Sequence, residues 1–179
     1  MRMLSFGQIN YQLQIPTMLI LYAKKANQII IQLLGVCLRL LHKYEDAITY
    51  LDKALSFDPK HLFSLSEKSE CLKELNKYED AIIWLDKAIA IDPKDFLTLS
   101  LKGDCLRSLK KYKESIYYLD LALSINPQNS FSLSCKGNCL QDQQQYQQAL
   151  IYYEKSLKIN PDHQWTKNQK VYCEKKLIL

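Results

Sequence analysis

Apolar and small residues return along this chain with two periods at once. The short period is helical. In residues 78–91 (YEDAIIWLDKAIAI), Tyr78, Ala81, Ile82, Leu85, Ala88 and Ile89 share one helix face, while Asp80, Asp86 and Lys87 fall mostly on the other. Glu79 and Asp80 occupy the first turn, where the helix dipole favours acids. Pro93 ends the run, because the residue before proline avoids the helical region. The preceding run, 62–75 (LFSLSEKSECLKEL), places Leu65, Ser69, Leu72 and Leu75 near helical spacing. A short Asn76-Lys77 turn between the two runs makes a helical hairpin.

The long period is 34 residues. HKYEDAITYLDKALSFDPK (42–60) and NKYEDAIIWLDKAIAIDPK (76–94) agree at 13 of 19 positions. Asp58-Pro59, Asp92-Pro93, Asn126-Pro127 and Asn160-Pro161 keep the same step, as do Tyr44, Tyr78, Tyr112 and Tyr146. In register, the chain divides into repeat 1 (28–61), repeat 2 (62–95), repeat 3 (96–129) and repeat 4 (130–163). Residues 164–179 begin a fifth unit and read as a C-terminal capping helix, with Trp165 and Cys173 toward the fourth unit and Lys167, Lys170 and Lys175 outward. Residues 1–27 lie off the grid: an N-terminal flank, a candidate degenerate half-repeat with a helix after Pro16. The apolar end Leu177-Ile178-Leu179 suits either truncation or self-association.

Small residues recur where two helices would touch. Gly35, Gly103 and Gly137 stand mid-helix, with Ser69 in the same place in repeat 2. Glycine there costs about 0.5–1 kcal/mol against alanine, so its recurrence predicts close helix contact, with Ala47, Ala81 and Ala149 as the expected partners.

These residues resemble the tetratricopeptide repeat family. The resemblance rests on Leu65, Leu99 and Leu133, the small residues at 35, 69, 103 and 137, and the Tyr-x-x-Ala of 44–47, 78–81 and 146–149. Ala54, Ala88, Ala122 and the four prolines complete it, over about three quarters of the chain. The chain departs from the family at Lys68, Lys102 and Lys136, which replace a large apolar residue; their stems are expected on the hairpin and their charges in solvent. The family's aromatic position holds Ser66, Ser100 and Ser134, with the bulk shifted three residues earlier to Phe63, Leu97 and Phe131.

The fold implied is all-α: a right-handed α-solenoid of stacked helical hairpins whose first helices line a concave groove. Four rows should face that groove: Phe63, Leu97 and Phe131 (with Ile29); Ser66, Ser100 and Ser134; Glu70, Asp104 and Asn138; Lys73, Arg107 and Gln141. An extended or helical peptide with apolar and charged side chains suits these rows. The competing reading is structural. The apolar row packs unit on unit, and the charged rows pair at i, i+3, as Glu70 with Lys73 and Asp104 with Arg107.

The resemblance also allows one partner to be checked. Family members that clamp the acidic C-terminal tail of chaperones need Lys, Asn and Arg at set rows. Here those rows hold Ser66 with Glu70, Ser100 with Asp104, and Leu97 with Leu101 or Phe131 with Cys135, so a chaperone-tail receptor is disfavoured. The expected role is a non-enzymatic scaffold or adaptor that binds a protein or peptide. The alternative is a substrate-recruiting or regulatory arm of a larger enzyme or complex.

Composition and charge trim the list further. The 179 residues are 47% hydrophobic and 24% charged, with four glycines, which favours helices over a sheet-rich fold. The net charge is +5, but it lies in the flanks: +3 in residues 1–27, +3 in 164–179 and −1 between them. Lysine outnumbers arginine 21 to 3, and arginine is the usual fork for bases and phosphates. RNA binding is therefore disfavoured. Five of the six cysteines (Cys37, Cys71, Cys105, Cys139, Cys173) keep the 34-residue step; only Cys135 is off it. They read as small buried apolar residues, not a disulfide or zinc set, and suit a reducing, cytoplasmic setting. His42, His61 and His163 lie at turns or unit boundaries, and no phosphate loop or HExxH occurs. No catalytic residue, metal site or cofactor is expected, nor a membrane span or signal peptide.

Overall fold

The computed structural model describes residues 6–178 as helices joined by short turns, without a strand among them. The described residues fall into two compact units, divided after Pro59. The first holds α1 (Phe6–Leu40) packed on α2 (Tyr44–Phe57). The second holds three hairpins and a last helix: α3 (Leu62–Glu74) with α4 (Tyr78–Ile91), α5 (Phe96–Ser108) with α6 (Tyr112–Ile125), α7 (Ser130–Asp142) with α8 (Tyr146–Ile159), and α9 (Gln164–Ile178). There, each second helix packs on the next first helix, and successive first helices touch as α3–α5, α5–α7 and α7–α9. This is an all-α solenoid.

Local chemistry explains the boundaries. Each hairpin turns on one residue in the left-handed region: His42, Asn76, Lys110 and Gln144, with φ of 58–61°. In the α3–α4 turn, the Asn76 N–H reaches the Lys73 carbonyl at 2.9 Å and the Lys77 N–H reaches Leu72 at 2.9 Å, which satisfies the last carbonyls of the first helix. Second helices end one residue before each Asp/Asn-Pro pair. The first helices of the second unit restart on a cap three residues before a hydroxyl: His61 and Ser64, Asp95 and Thr98, Asn129 and Ser132, His163 and Thr166. Asn129 Oδ1 accepts from both the Ser132 N–H and its hydroxyl at 2.8 Å.

At its N-terminus the structure differs from the expectation. The helix does not begin after Pro16. It starts at Phe6 and runs unbroken through Pro16 and residue 27 to Leu40.

The glycines mark close approach, but their first contact is not the expected alanine. A methyl on Gly35, Gly103 or Gly137 would lie 2.9, 2.7 or 2.6 Å from a side chain one helix away: Leu51, Leu119 or Tyr153. The backbone carbonyls of Ala47 and Ser115 come next, at 3.5 and 3.2 Å. Ser115 Oγ also donates to the Gly103 carbonyl at 2.7 Å. At the remaining hairpin Ser69 turns its hydroxyl to the Leu65 carbonyl, 2.7 Å away.

Five of six thiols are buried, and all six are free. Cys139 shows why. It sits against the preceding hairpin, clustered with Leu119 and Cys135 and facing the Tyr112 carbonyl at 3.6 Å. Cys37 corrects the sequence expectation: it is exposed. No described helix precedes α1 to cover it. Burial pushes the Cys105 thiol up to about 12 and Cys173 to about 11.

Two outcomes follow for measurement. A thiol reagent at neutral pH should modify Cys37 alone in the native protein and all six cysteines in denaturant; a second fast-reacting thiol would contradict this packing. Gly137→Ala should lower stability by about 1–3 kcal/mol, since the added methyl meets a fully buried ring. Denaturant unfolding measures it, and a stabilised variant would show that Tyr153 can move.

Candidate functional site

Lys102 and Lys136 tie the hairpins of the second unit together, which corrects the expectation that their charges escape to solvent. Lys102 Nζ lies 4.1 Å from the Tyr118 ring centre and is ion-paired with Asp86 of the preceding hairpin. Lys136 repeats this 34 residues on, 4.6 Å from Tyr152 and ion-paired with Asp120. Burial opposes the Lys102 charge, yet the bonds to Asp86 and Tyr118 hold its pKa above the ordinary lysine value. Lys68 stands 3.6 Å over Trp84. With these cations committed on one side, the opposite side of the first helices carries the candidate site.

A cavity of about 670 Å³ in the second unit opens on that side. Six expected residues line it: Lys73, Asp104, Arg107, Phe131, Ser134 and Asn138. Phe63, Ser66, Glu70, Leu97, Ser100 and Gln141 do not. Phe63, Leu97 and Phe131 are nonetheless exposed, so solvent, not a neighbouring unit, meets much of that row.

The serine row has a different task. Ser66 meets Thr98 at 3.2 Å, Ser100 meets Ser132 at 2.6 Å, and Ser134 meets Thr166 at 3.2 Å. Each bond ties one first helix to a hydroxyl in the first turn of the next. Ser100 and Ser134 are buried by it.

The charged rows form a network across repeats. Asp104 Oδ2 accepts from Lys73 at 3.3 Å, and its Oδ1 from Arg107 at 3.2 Å. Arg107 continues to Asp142 at 2.7 Å. The Asp104–Arg107 pair is thus the i, i+3 contact expected from sequence, extended sideways by Lys73 and Asp142. Burial lowers the pKa of Lys73 and Arg107, but Asp104 together with Glu74 and Glu70 for Lys73, and with Asp142 for Arg107, outweighs it, and both end above their ordinary values. Asn138 and Gln141 face inward to the Tyr153 hydroxyl, at 2.8 and 2.9 Å. Gln141 also donates to Gln169 of α9 at 2.8 Å.

Sequence reasoning missed other residues of the lining. Trp165, Asn160, His163 and Cys135 belong to it. Trp165 faces the fourth unit as expected, lining the cavity with Phe131, Ser134 and Asn160, yet it stays 43% exposed while its neighbour Thr166 is buried. The signal was present: Trp165 stands 34 residues after Phe131, and so continues the row of Phe63, Leu97 and Phe131. His163 Nδ1 lies 2.6 Å from the Thr166 hydroxyl, and burial raises the Cys135 thiol well above its ordinary pKa. Lys170 does not point free but reaches Glu154 at 3.1 Å.

Residues 38–105 match the family described as "Tetratricopeptide repeat", and residues 74–156 match "Anaphase-promoting complex, cyclosome, subunit 3". Among solved structures, PilF of Pseudomonas aeruginosa superposes with a TM-score of 0.75 at 22% identity, over 86% of this chain and 70% of that one. A tetratricopeptide repeat protein from Parabacteroides merdae gives 0.72 at 16% identity, over 84% and 59%. The MamA protein gives 0.66 at 19% identity, over 83% and 81%. At these identities the likeness is one of fold. A search of curated proteins found no match.

The network makes Asp104 the residue whose loss is felt on both sides. Asp104→Ala should lower stability by about 1–3 kcal/mol, because Lys73 and Arg107 lose a shared, largely buried acceptor. Thermal unfolding checks this; a change within error would show that solvent or Asp142 replaces the carboxylate.

Proposed function

Since this chain belongs to the tetratricopeptide repeat family, we propose that it is a non-enzymatic interaction module that holds a protein or peptide along the first helices of its second unit. The observation that carries this reading is the row Phe63, Leu97, Phe131 and Trp165. All four are exposed, at 37–49%, at a step of 34 residues, and Phe131 and Trp165 line the groove of about 670 Å³. Three of the four are aromatic, and aromatic residues with that much free surface are the usual anchors of a protein contact.

Charge narrows the occupant. Lys73 and Arg107, the groove's cations, already face Asp104, Glu74 and Asp142 at 2.7–3.6 Å. An acidic tail would have to displace these acids, so the partner is read as an apolar segment of low charge, not a chaperone tail. Asn138 and Asn160 offer amides to its backbone. The groove's chemistry supports a binding role: its thiol is held protonated, and its histidine is engaged by Thr166. A role as one arm of a larger assembly is the second reading, favoured by the match to a complex subunit over residues 74–156.

Peptides selected from a display library on this protein should bind Phe131→Ala at least about tenfold more weakly. They should bind Ile83→Ala, altered at an exposed α4 residue outside the groove lining, with unchanged affinity. Selected peptides indifferent to Phe131→Ala and sensitive to Ile83→Ala would move the site to the second helices.

A further inference from the structure

The helices α3, α5, α7 and α9 begin on a cap in the same place, and the two outer caps differ in kind from the two inner ones. Asp95 Oδ2 accepts from the Thr98 N–H at 3.2 Å, and Asn129 Oδ1 from the Ser132 N–H at 2.8 Å. At α3 the acceptor is a ring nitrogen. His61 Nδ1 accepts from the Ser64 N–H at 3.3 Å and lies 2.9 Å from the Ser64 hydroxyl. His163 holds the same place before α9, its Nδ1 2.6 Å from the Thr166 hydroxyl. An amide or carboxylate oxygen accepts throughout the neutral range. A ring nitrogen accepts only without a proton, and histidine is the side chain that gains one at about pH 6.5. Each of these histidines also stands two residues before an exposed ring of the groove row. His61 meets Phe63 with ring centres 6.4 Å apart, and His163 meets Trp165 at 6.3 Å.

We infer that His61 and His163 are acid-sensitive caps, so that acidification through the imidazole range loosens the first turns of α3 and α9 and weakens the groove's hold on its partner. A proton on His61 Nδ1 turns the acceptor of the Ser64 N–H into a donor that faces it. It also places a positive charge at the positive pole of the helix. At His163 the bond to Thr166 reverses only if the Thr166 hydroxyl turns to Ser134, 3.2 Å away. Because the caps bind the neutral ring, their stabilisation is complete above the imidazole range and lost as pH falls through it. The charges around them are engaged or balanced. Asp162, beside His163, faces Lys167 at 3.9 Å, and Lys158 in the last turn of α8 adds only positive charge. The acids of the cavity that His163 lines, Glu74 and Asp104, face Lys73 and Arg107. Asp58 and Lys60 flank His61 with opposite charges, Asp92 and Lys94 do the same after α4, and Asp95 is engaged as the cap of α5. The caps stand apart from the groove reading; the loss of binding rests on it.

The test compares the full chain with His61→Asn plus His163→Asn, which gives both ends the cap of α7 and leaves His42 to titrate in both proteins. From about pH 7.5 to about pH 5.5, the melting temperature of the unsubstituted chain should fall about 4–8 °C further than that of the variant, for two caps. Over the same interval the protection of its Ser64 amide against hydrogen exchange should drop roughly tenfold relative to that of Ser132. Peptides selected on the groove should bind the unsubstituted chain about threefold more weakly at the lower pH, and the variant equally at both. Equal pH dependence of melting in the two proteins, or a Ser64 amide that follows Ser132, would overturn the acid-sensitive caps. Peptide binding whose pH dependence survives in the variant, or is absent from both proteins, would overturn the link to the groove. If selected peptides are indifferent to Phe131→Ala, the groove reading fails instead, and melting and exchange still decide the caps.

Discussion

Everything in this fold depends on how closely the two helices of a hairpin approach. Gly103 lies so near Leu119 that a single added methyl would fall 2.7 Å from its Cγ. That distance puts Leu119 fully out of solvent and into a cluster with Cys135 and Cys139 of the next hairpin. The hairpin contact therefore also sets the surface on which the next hairpin is laid. In the last hairpin Tyr153 replaces the leucine. The backbone stays close because Gly137 opposes it, and the hydroxyl is satisfied by Asn138 and Gln141.

Three kinds of polar contact then add to this apolar stacking in holding hairpin to hairpin. Buried serines meet the capping hydroxyls of the next helix. Lysines sit over tyrosine rings and reach back to an aspartate of the preceding hairpin. Asp104 joins Lys73 to Arg107. Polar groups buried in this way must be paired. In doing so they fix register between repeats, because a hydroxyl pair at 2.6 Å tolerates no slip. The consequence for function is a division of labour. Polar residues of the first helices are largely consumed by the array, and the exposed aromatics remain available to a partner.

The sequence alone determined the hairpins, their 34-residue step and their ends, because these follow from local causes. Helical periodicity, a small residue at a fixed place and a proline after each second helix act within about thirty residues. Part of the groove was legible for the same reason: Phe131, Asp104 and Arg107 project from a helix face that periodicity defines. Only the tertiary structure decided which residues on that face stay free. Ser100 looked available until Ser132 of the next helix came within hydrogen-bond reach, and Lys102 until Tyr118 and Asp86 did. Trp165 is expected toward the fourth unit, but only the structure leaves it 43% exposed while Thr166 is buried. Cys37 is exposed although its letter and position match its buried counterparts, because no described helix lies before α1 to cover it. A residue's place on its own helix is written in the chain's spacing, but what covers it is set by a neighbour 16 to 34 positions away.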